Sequence, residues 1–394
     1  MSLPRRSFLL SSASALAASR FAWAAPAKRR VAVIGHTGRG DFGHGLDTVW
    51  QQIPETEIVA VADANEAGLA RQLNKLKIDH GFRDYQQMLR QVQPEFVAIC
   101  SRHADQHHAM ALAAIEAGAR GLYIEKPICR TPAEADALLA ACEKHDAKIA
   151  VAHRNRYHPA LPQIDSLIAD GRIGNLLELR GRGKGDHRGG AEDLWVLGSH
   201  VLNLVDHFTG PPQTCSAVML QGGRRVTAAD VRPGAEGLGP LAGDALHARY
   251  ETTAGPIAYY DSVAKDGTAG TAFCLQLIGS RGTITIHMDG RPLAYLCEGS
   301  PFRPPAEPRR WLPISSGGVD VAEPNPKAVA EATHHIAAVK DLIESVDSGR
   351  RPLCDMQNAA TTVEMICGVF ESHRQESAAV ALPLAKRDNP LTRL

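Results

Sequence analysis

Apolar and polar positions in the first third of the chain form short β-rich runs separated by helical stretches. The runs are Arg30-Val31-Ala32-Val33-Ile34-Gly35, Glu57 to Asp63, Phe96 to Ser101 and Leu122 to Glu125, with helical patterns around Tyr85 to Val92 and from about His107 to Ala117. Strands interleaved with helices predict an α/β fold on a parallel, doubly wound sheet. Such sheets bind ligands beyond the carboxyl ends of their strands, where Ser101-Arg102-His103 and Glu125-Lys126-Pro127 both fall.

From Asn175 to about Leu296 the pattern changes. Leu176 to Leu179, Ile257 to Tyr260, Phe273 to Ile278 and Thr283 to His287 are β-rich and separated by turns, as an antiparallel sheet requires. The Gly/Pro-rich stretches Gly222 to Gly243 and Pro301 to Pro326 read as long loops. A chain of 394 residues is too long for one compact core and is expected to divide into two domains, over 28–150 and over 151–394, after the segment 1–27.

Residues 1–27 read as an address. Arg5-Arg6 precede Phe8-Leu9-Leu10 and an Ala/Ser-rich apolar segment, the pattern of a twin-arginine export signal, with cleavage expected near Ala22-Trp23-Ala24 or Ala25-Pro26-Ala27. Arg20 interrupts the run, so no stable membrane insertion is expected, and the mature protein is expected in the periplasm or otherwise exported. The twin-arginine route carries folded proteins, which suits an enzyme that acquires and tightly retains its cofactor in the cytoplasm.

The first β-rich run ends in Gly35-His36-Thr37-Gly38-Arg39-Gly40, and strand, turn and helix are expected in that order, with phosphate charge at the helix N-terminus. Thr37 stands where a dinucleotide turn has its second glycine, and Gly38 is the candidate for the close approach to the pyrophosphate. Asp63 lies at the end of the next run, 23 residues beyond Gly40 and near the usual spacing of about 20. Its carboxylate suits two ribose hydroxyls and repels a 2′-phosphate, which favours NAD over NADP.

A lysine at a strand end, in a partly dry cleft near a positive nicotinamide ring, has its pKa lowered towards working pH and can take a hydroxyl proton. Lys126 is that residue, with Glu125 placed to orient it. The 43 basic and 43 acidic side chains balance, so no nucleic-acid or membrane partner is indicated and a small neutral ligand fits better. The eight cysteines contain no CxxC pair and do not cluster with histidine, so they read as mostly buried thiols; neither a disulfide scaffold nor a metal site is indicated.

Together the glycine turn, Asp63, His107, Glu125-Lys126-Pro127 and Gly198-Ser199-His200 resemble the Gfo/Idh/MocA oxidoreductases, over nearly the whole mature chain. The resemblance implies an NAD-dependent oxidoreductase acting on a sugar, cyclic polyol or derivative, a second α/β domain with an open, largely antiparallel sheet, and a homo-oligomer paired through that sheet. Its cofactor contacts would be Gly35, Thr37, Gly38, Arg39, Gly40, Asp63, Ser101, His103, His107, Glu125 and Lys126. The stretch His153-Arg154-Asn155-Arg156-Tyr157 resembles the segment lining the substrate cleft, and Arg156 and Tyr157 are its candidate contacts.

The family's second site reads Asp-x-Gly-x-His, and here Val196 stands where the Asp is expected, with Asn203 in place of a later Asp. Valine transfers no proton. Asp193 lies seven residues before His200, and i and i+7 share a helix face, so Asp193 is a candidate substitute beside His200, with helix capping as its rival role. Two other activities stay open: a glycosidase or lyase that oxidises a sugar transiently and eliminates its aglycone, and a non-catalytic sugar-binding protein.

Overall fold

A computed structural model describes residues 27–394, so the expected twin-arginine segment lies outside the described residues except for Ala27. Strands Arg29–Ile34 (β1), Thr56–Ala62 (β2), Gly81–Phe82 (β3), Phe96–Ile99 (β4), Gly121–Ile124 (β5) and Lys148–Val151 (β6) form one parallel sheet in the order β3-β2-β1-β4-β5-β6. The order reverses between β1 and β4, which opens a crevice beyond Ile34 and Ile99. Both faces of the sheet are buried, and this is why its strands read as near-continuous apolar runs.

Alternate residues serve opposite faces. Ala32, Ile34, Val97, Ile99, Leu122 and Ile124 share one core cluster with Met110, Ala114 and Leu138 of the helices His107–Glu116 and Pro132–His145. Val31, Val33, Phe96, Ala98 and Tyr123 face the other way, against Trp50 and against Val339, Leu342 and Val346 of the helix Ile336–Ser348. The chain therefore returns to complete the first domain, and a single boundary at residue 150 does not describe it.

No α-helix follows the glycine turn. Two 3-10 segments, Gly43–Gly45 and Val49–Gln52, connect β1 to β2. Gly40, Asp41, His44 and Gly45 all have positive φ, which an α-helix cannot accommodate, so the expected anchoring of phosphate on a helix N-terminus is corrected.

The second sheet has eleven strands. Its spatial order is Gly318–Val319, Trp311–Ser315, Ala294–Glu298, Gly282–His287, Cys274–Gly279, Leu176–Arg182, Ile257–Val263, Ala245–Thr252, Pro212–Gln221 and Val380–Ala381, with Arg224–Arg225 also paired to Pro212–Gln221. Only Leu176–Arg182 and Ile257–Val263 pair in parallel, so the largely antiparallel expectation holds. The stretch Pro301 to Pro326 is not one loop: its Trp311–Ser315 and Gly318–Val319 extend the sheet. Gly222 to Gly243 likewise holds the short pair Arg232–Pro233 with Pro240–Leu241.

The helix Met356–Arg374 starts at a capping box in which Asp355 accepts from Asn358 N, and it is buried over most of its length. It lies between the strand Pro212–Gln221 and the helix Pro132–His145, tying the second sheet to the first domain. The eight cysteines are free thiols and six are buried. Among the described residues no helix is long and apolar enough to cross a membrane.

Candidate active site

Beyond the ends of β1 and β2 a cavity of about 190 Å³ is lined by Gly35, His36, Asp63, Arg83, Gln106 and Met110, among others. Asp63 is buried, and its carboxylate accepts from Thr37 N (3.1 Å), Thr37 Oγ1 (2.6 Å) and Asn65 N (2.9 Å). Thr37 thus closes the turn with its side chain where a glycine was expected. A Cβ on Gly68 would lie 2.1 Å from the Thr37 hydroxyl, so the following helix packs here only because position 68 is glycine. A carboxylate accepts about four hydrogen bonds. Oδ2 of Asp63 makes only one, which leaves acceptor capacity at a cavity wall.

The other turn residues divide between roles. Gly38 has φ +84° and open space around it, as a close-approach position needs. Gly40 is pressed against the backbone of Arg102 and His103, so it fastens two loops together rather than facing the crevice. Arg39 is ion-paired with Asp105. His103 precedes the 3-10 turn Ala104–Gln106 without capping it. The Ser101 hydroxyl is buried and has no partner among the described residues. A cavity at the strand switch, an acceptor at its wall, an unobstructed glycine and an orphan hydroxyl fit a dinucleotide; Gly35, Gly38, Asp63 and Ser101 would hold it.

His107 is corrected from a cofactor contact to a fastening. Fully buried, its Nε2 lies 2.6 Å from Ser101 O and its Nδ1 2.8 Å from Pro127 O, so the ring joins the loops that follow β4 and β5. Burial lowers its pKa, and the two carbonyls oppose that shift without cancelling it.

A second pocket, of about 270 Å³, lies at the end of β5 between the domains, and Lys126, His44, His200, Arg154, Asn155 and His335 are among its lining. Lys126 Nζ donates to Val196 O at 2.7 Å. Burial lowers the pKa of this ammonium, only partly opposed by Glu125 and Glu236. Glu125 holds the main chain instead of the amine: Oε2 accepts from Lys126 N at 3.1 Å and Oε1 pairs with His44. Burial pushes this carboxyl up, but the His44 hydrogen bond and charge, with Lys126, bring it below its ordinary value.

His200 Nδ1 lies 3.3 Å from His153 Nδ1, the rings edge to face. Burial and the nearby Lys126 charge hold His200 well below the usual imidazole range and His153 down at about 3. One neutral ring donates and the other accepts. His200 Nε2 then has no protein partner among the described residues. His335 shares the wall, bonded through Nδ1 to Tyr123 OH at 2.6 Å, with burial lowering its pKa to about 4.

Three expected contacts lie elsewhere. Asp193 neither caps a helix nor lines this pocket; it is buried, accepting from Ser262 Oγ (2.6 Å), Tyr260 OH (3.0 Å) and Lys184 N (3.4 Å). Leu194–Gly198 is a π turn, and its extra residue breaks the i, i+7 phase that would have aligned Asp193 with His200. Burial raises the Asp193 pKa. Arg156 donates to Asn203 Oδ1 (3.2 Å) and Leu353 O (2.8 Å), and Tyr157 packs into the core with Tyr123 and Val339. Their neighbours Arg154 and Asn155 face the pocket instead, because the 3-10 turn Arg154–Tyr157 splits the four side chains between two directions. His44, His335, Lys184 and Asp289 carried no motif in the sequence. They reach the pocket from four distant segments.

Residues 29–153 match the family described as an oxidoreductase family with an NAD-binding Rossmann fold, Gfo/Idh/MocA. A curated relative, D-apiose dehydrogenase of Paraburkholderia graminis, is 32% identical over 137 residues, which is 35% of this chain and 36% of that protein. The match thus spans about a third of the relative. Among solved structures, levoglucosan dehydrogenase in complex with NADH and L-sorbose superposes with a TM-score of 0.69 at 19% identity, covering 90% of this chain and 99% of that one. An NAD-binding oxidoreductase from Klebsiella pneumoniae gives a TM-score of 0.68 at 19% identity, covering 90% and 99%. At these identities the likeness is one of fold.

Proposed function

We propose that the protein, whose residues 29–153 match the Gfo/Idh/MocA oxidoreductase family, is an NAD-dependent oxidoreductase acting on a secondary hydroxyl of a sugar, cyclic polyol or derivative. The observation that carries this reading is the meeting of Lys126 and His200, both shifted towards the neutral form, in one pocket at the carboxyl end of the Rossmann sheet. The names of the two dehydrogenases above, both acting on carbohydrates, support the substrate class.

NAD, which Gly35, Gly38, Asp63 and Ser101 would hold, would supply the hydride acceptor for the carbinol carbon when bound. The chain's own part is proton transfer and positioning. Lys126 commits one N–H to Val196 O, which fixes the amine and leaves its lone pair to take the hydroxyl proton. His200 Nε2 hydrogen-bonds the same oxygen or its neighbour, its tautomer set by His153. Asp289, held by Arg154 (3.2 Å) and Lys184 (3.0 Å), supplies a polar wall for further hydroxyls. On the same reading the Arg5-Arg6 leader exports a folded enzyme with tightly held NAD, and copies pair through the second sheet, whose strands carry the exposed Leu177 and Trp311.

The test is to purify the exported protein, release and quantify its nicotinamide, and scan the native protein for reduced-cofactor absorbance as sugars and polyols are added. Stoichiometric NAD that becomes reduced supports the reading; a protein that neither retains nor binds NAD ends it. Release of an aryl group from a glycoside without net reduction would instead establish the eliminating glycosidase.

A further inference from the structure

The pocket at Lys126 continues outward into a larger cavity of about 540 Å³, and Arg154, Asn155, Met288 and Asp289 line both. The two differ in chemistry. The inner pocket presents ammonium, imidazole and carboxylate groups to a ligand, whereas Pro292, Leu293, Val321, Pro326, Val329 and Ala332 give the outer one largely carbon walls. We propose that the outer cavity is a subsite for an apolar aglycone, so that the substrate is a glycoside whose sugar ring sits at Lys126 and whose apolar group lies between the Pro292 loop and the helix Pro326–Thr333. This rests on the reading of the Lys126 pocket given above and adds the substrate class to it.

Size and polarity both favour this occupant. Small-molecule sites commonly run about 300–1,000 Å³. The inner pocket alone, near 270 Å³, suits one small ring, and with the adjoining 540 Å³ the cleft lies well within that range. A second sugar unit in the outer cavity would meet polar side chains such as Arg291 and Asp320 on part of the lining but mostly carbon elsewhere, and each hydroxyl buried without a partner is costly. The Glu323 carboxylate at its rim is already engaged by Ser316 N and Oγ and by Asn325 N. Among the described residues no Phe, Tyr or Trp lines the outer cavity to stack against a sugar face. An aliphatic or aryl group asks for no hydrogen bonds and gains by leaving water.

The mature protein loaded with NADH, which cannot take a hydride from an alcohol, is titrated calorimetrically with paired methyl and phenyl glycosides of a panel of hexoses. For the sugar that binds, the phenyl glycoside is expected to bind roughly tenfold to a hundredfold more tightly. Ala332→Phe, which fills the cavity, and Val329→Asp, which puts a charge on its wall, are each expected to erase that preference while methyl glycoside affinity changes less than about twofold. Equal affinities in the unsubstituted protein, a preference that survives both substitutions, or no binding of any phenyl glycoside would overturn the proposal. Binding is read without turnover, so the two readings separate. A phenyl preference without nicotinamide reduction leaves the subsite standing and removes the oxidoreductase, and reduction without a phenyl preference does the reverse.

Discussion

Lys126 Nζ donates its hydrogen bond to the main-chain carbonyl of Val196, the residue that stands where the family pattern has an aspartate. The π turn Leu194–Gly198 brings this carbonyl to the amine, while the Val196 side chain lies in the apolar core with Trp195 and Leu202. A neutral dipole thus replaces a carboxylate beside the lysine. It orients the amine without the charge that would raise its pKa.

Removing that amine should cost most of the turnover. Lys126→Met is expected to lower kcat by roughly 10²–10⁴-fold, the usual range for a general base, with NAD still bound. Steady-state reduction and the released-cofactor assay together check it. Val196→Asp should not improve the site, because its carboxylate would enter the core; a lowered urea midpoint is the expected result.

The rate should depend on pH through the same group. A base must be deprotonated, so kcat/KM rises with pH through the Lys126 pKa and levels off above it. Burial places that midpoint below 10.5. His200→Asn should reduce the plateau and leave this limb in place, because His200 titrates far lower; a limb that disappears with His200 would reassign the base.

Stability should fall in acid because of the histidine pair. His153 titrates at about 3 when folded and near 6.5 when unfolded, so the unfolded state takes up the proton first. Its contribution is present above about 6.5 and is lost as pH falls towards 3. At pH 5 the loss is about 2 kcal/mol. Urea unfolding at pH 7.5 and 5 measures it, and His153→Gln should flatten the difference by a comparable amount.

Asp193 should behave as a structural group. Asp193→Asn keeps acceptors for Ser262 and Tyr260 and is expected to retain kcat within about tenfold, while Asp193→Ala leaves those hydroxyls short of a partner and costs about 1–3 kcal/mol. Loss of turnover in a stably folded Asn variant would restore the catalytic assignment.

His107→Ala should loosen the loops that carry Ser101 and Pro127. The neutral ring has one N–H to donate, so one of the two carbonyls loses its donor, which costs about 1–3 kcal/mol, and KM for NAD should rise more than kcat falls. An unchanged KM beside a lowered melting temperature would confine His107 to stability.

The parallel sheet, its switch point, Asp63 and Lys126 were legible in the chain because each depends on local order: apolar runs that fill a doubly covered sheet, a glycine turn, an acid at a strand end, a lysine just past another. Asp193, Arg156 and Tyr157 were misplaced because helical phase and turn direction there depend on a π turn and a 3-10 turn that no residue pattern announces. His44, His335 and Asp289 were invisible for a different reason, since they come from a 3-10 connection, a left-handed residue before a helix and the turn after a strand, and only the packing of the domains brings them together. The sequence by itself determined which strands of the first sheet form and that the glycine turn and Asp63 follow β1 and β2, because neighbours along the chain decide both. Which side chains share the pocket with Lys126 was decided by the tertiary structure alone, because those contacts are made across the domain boundary.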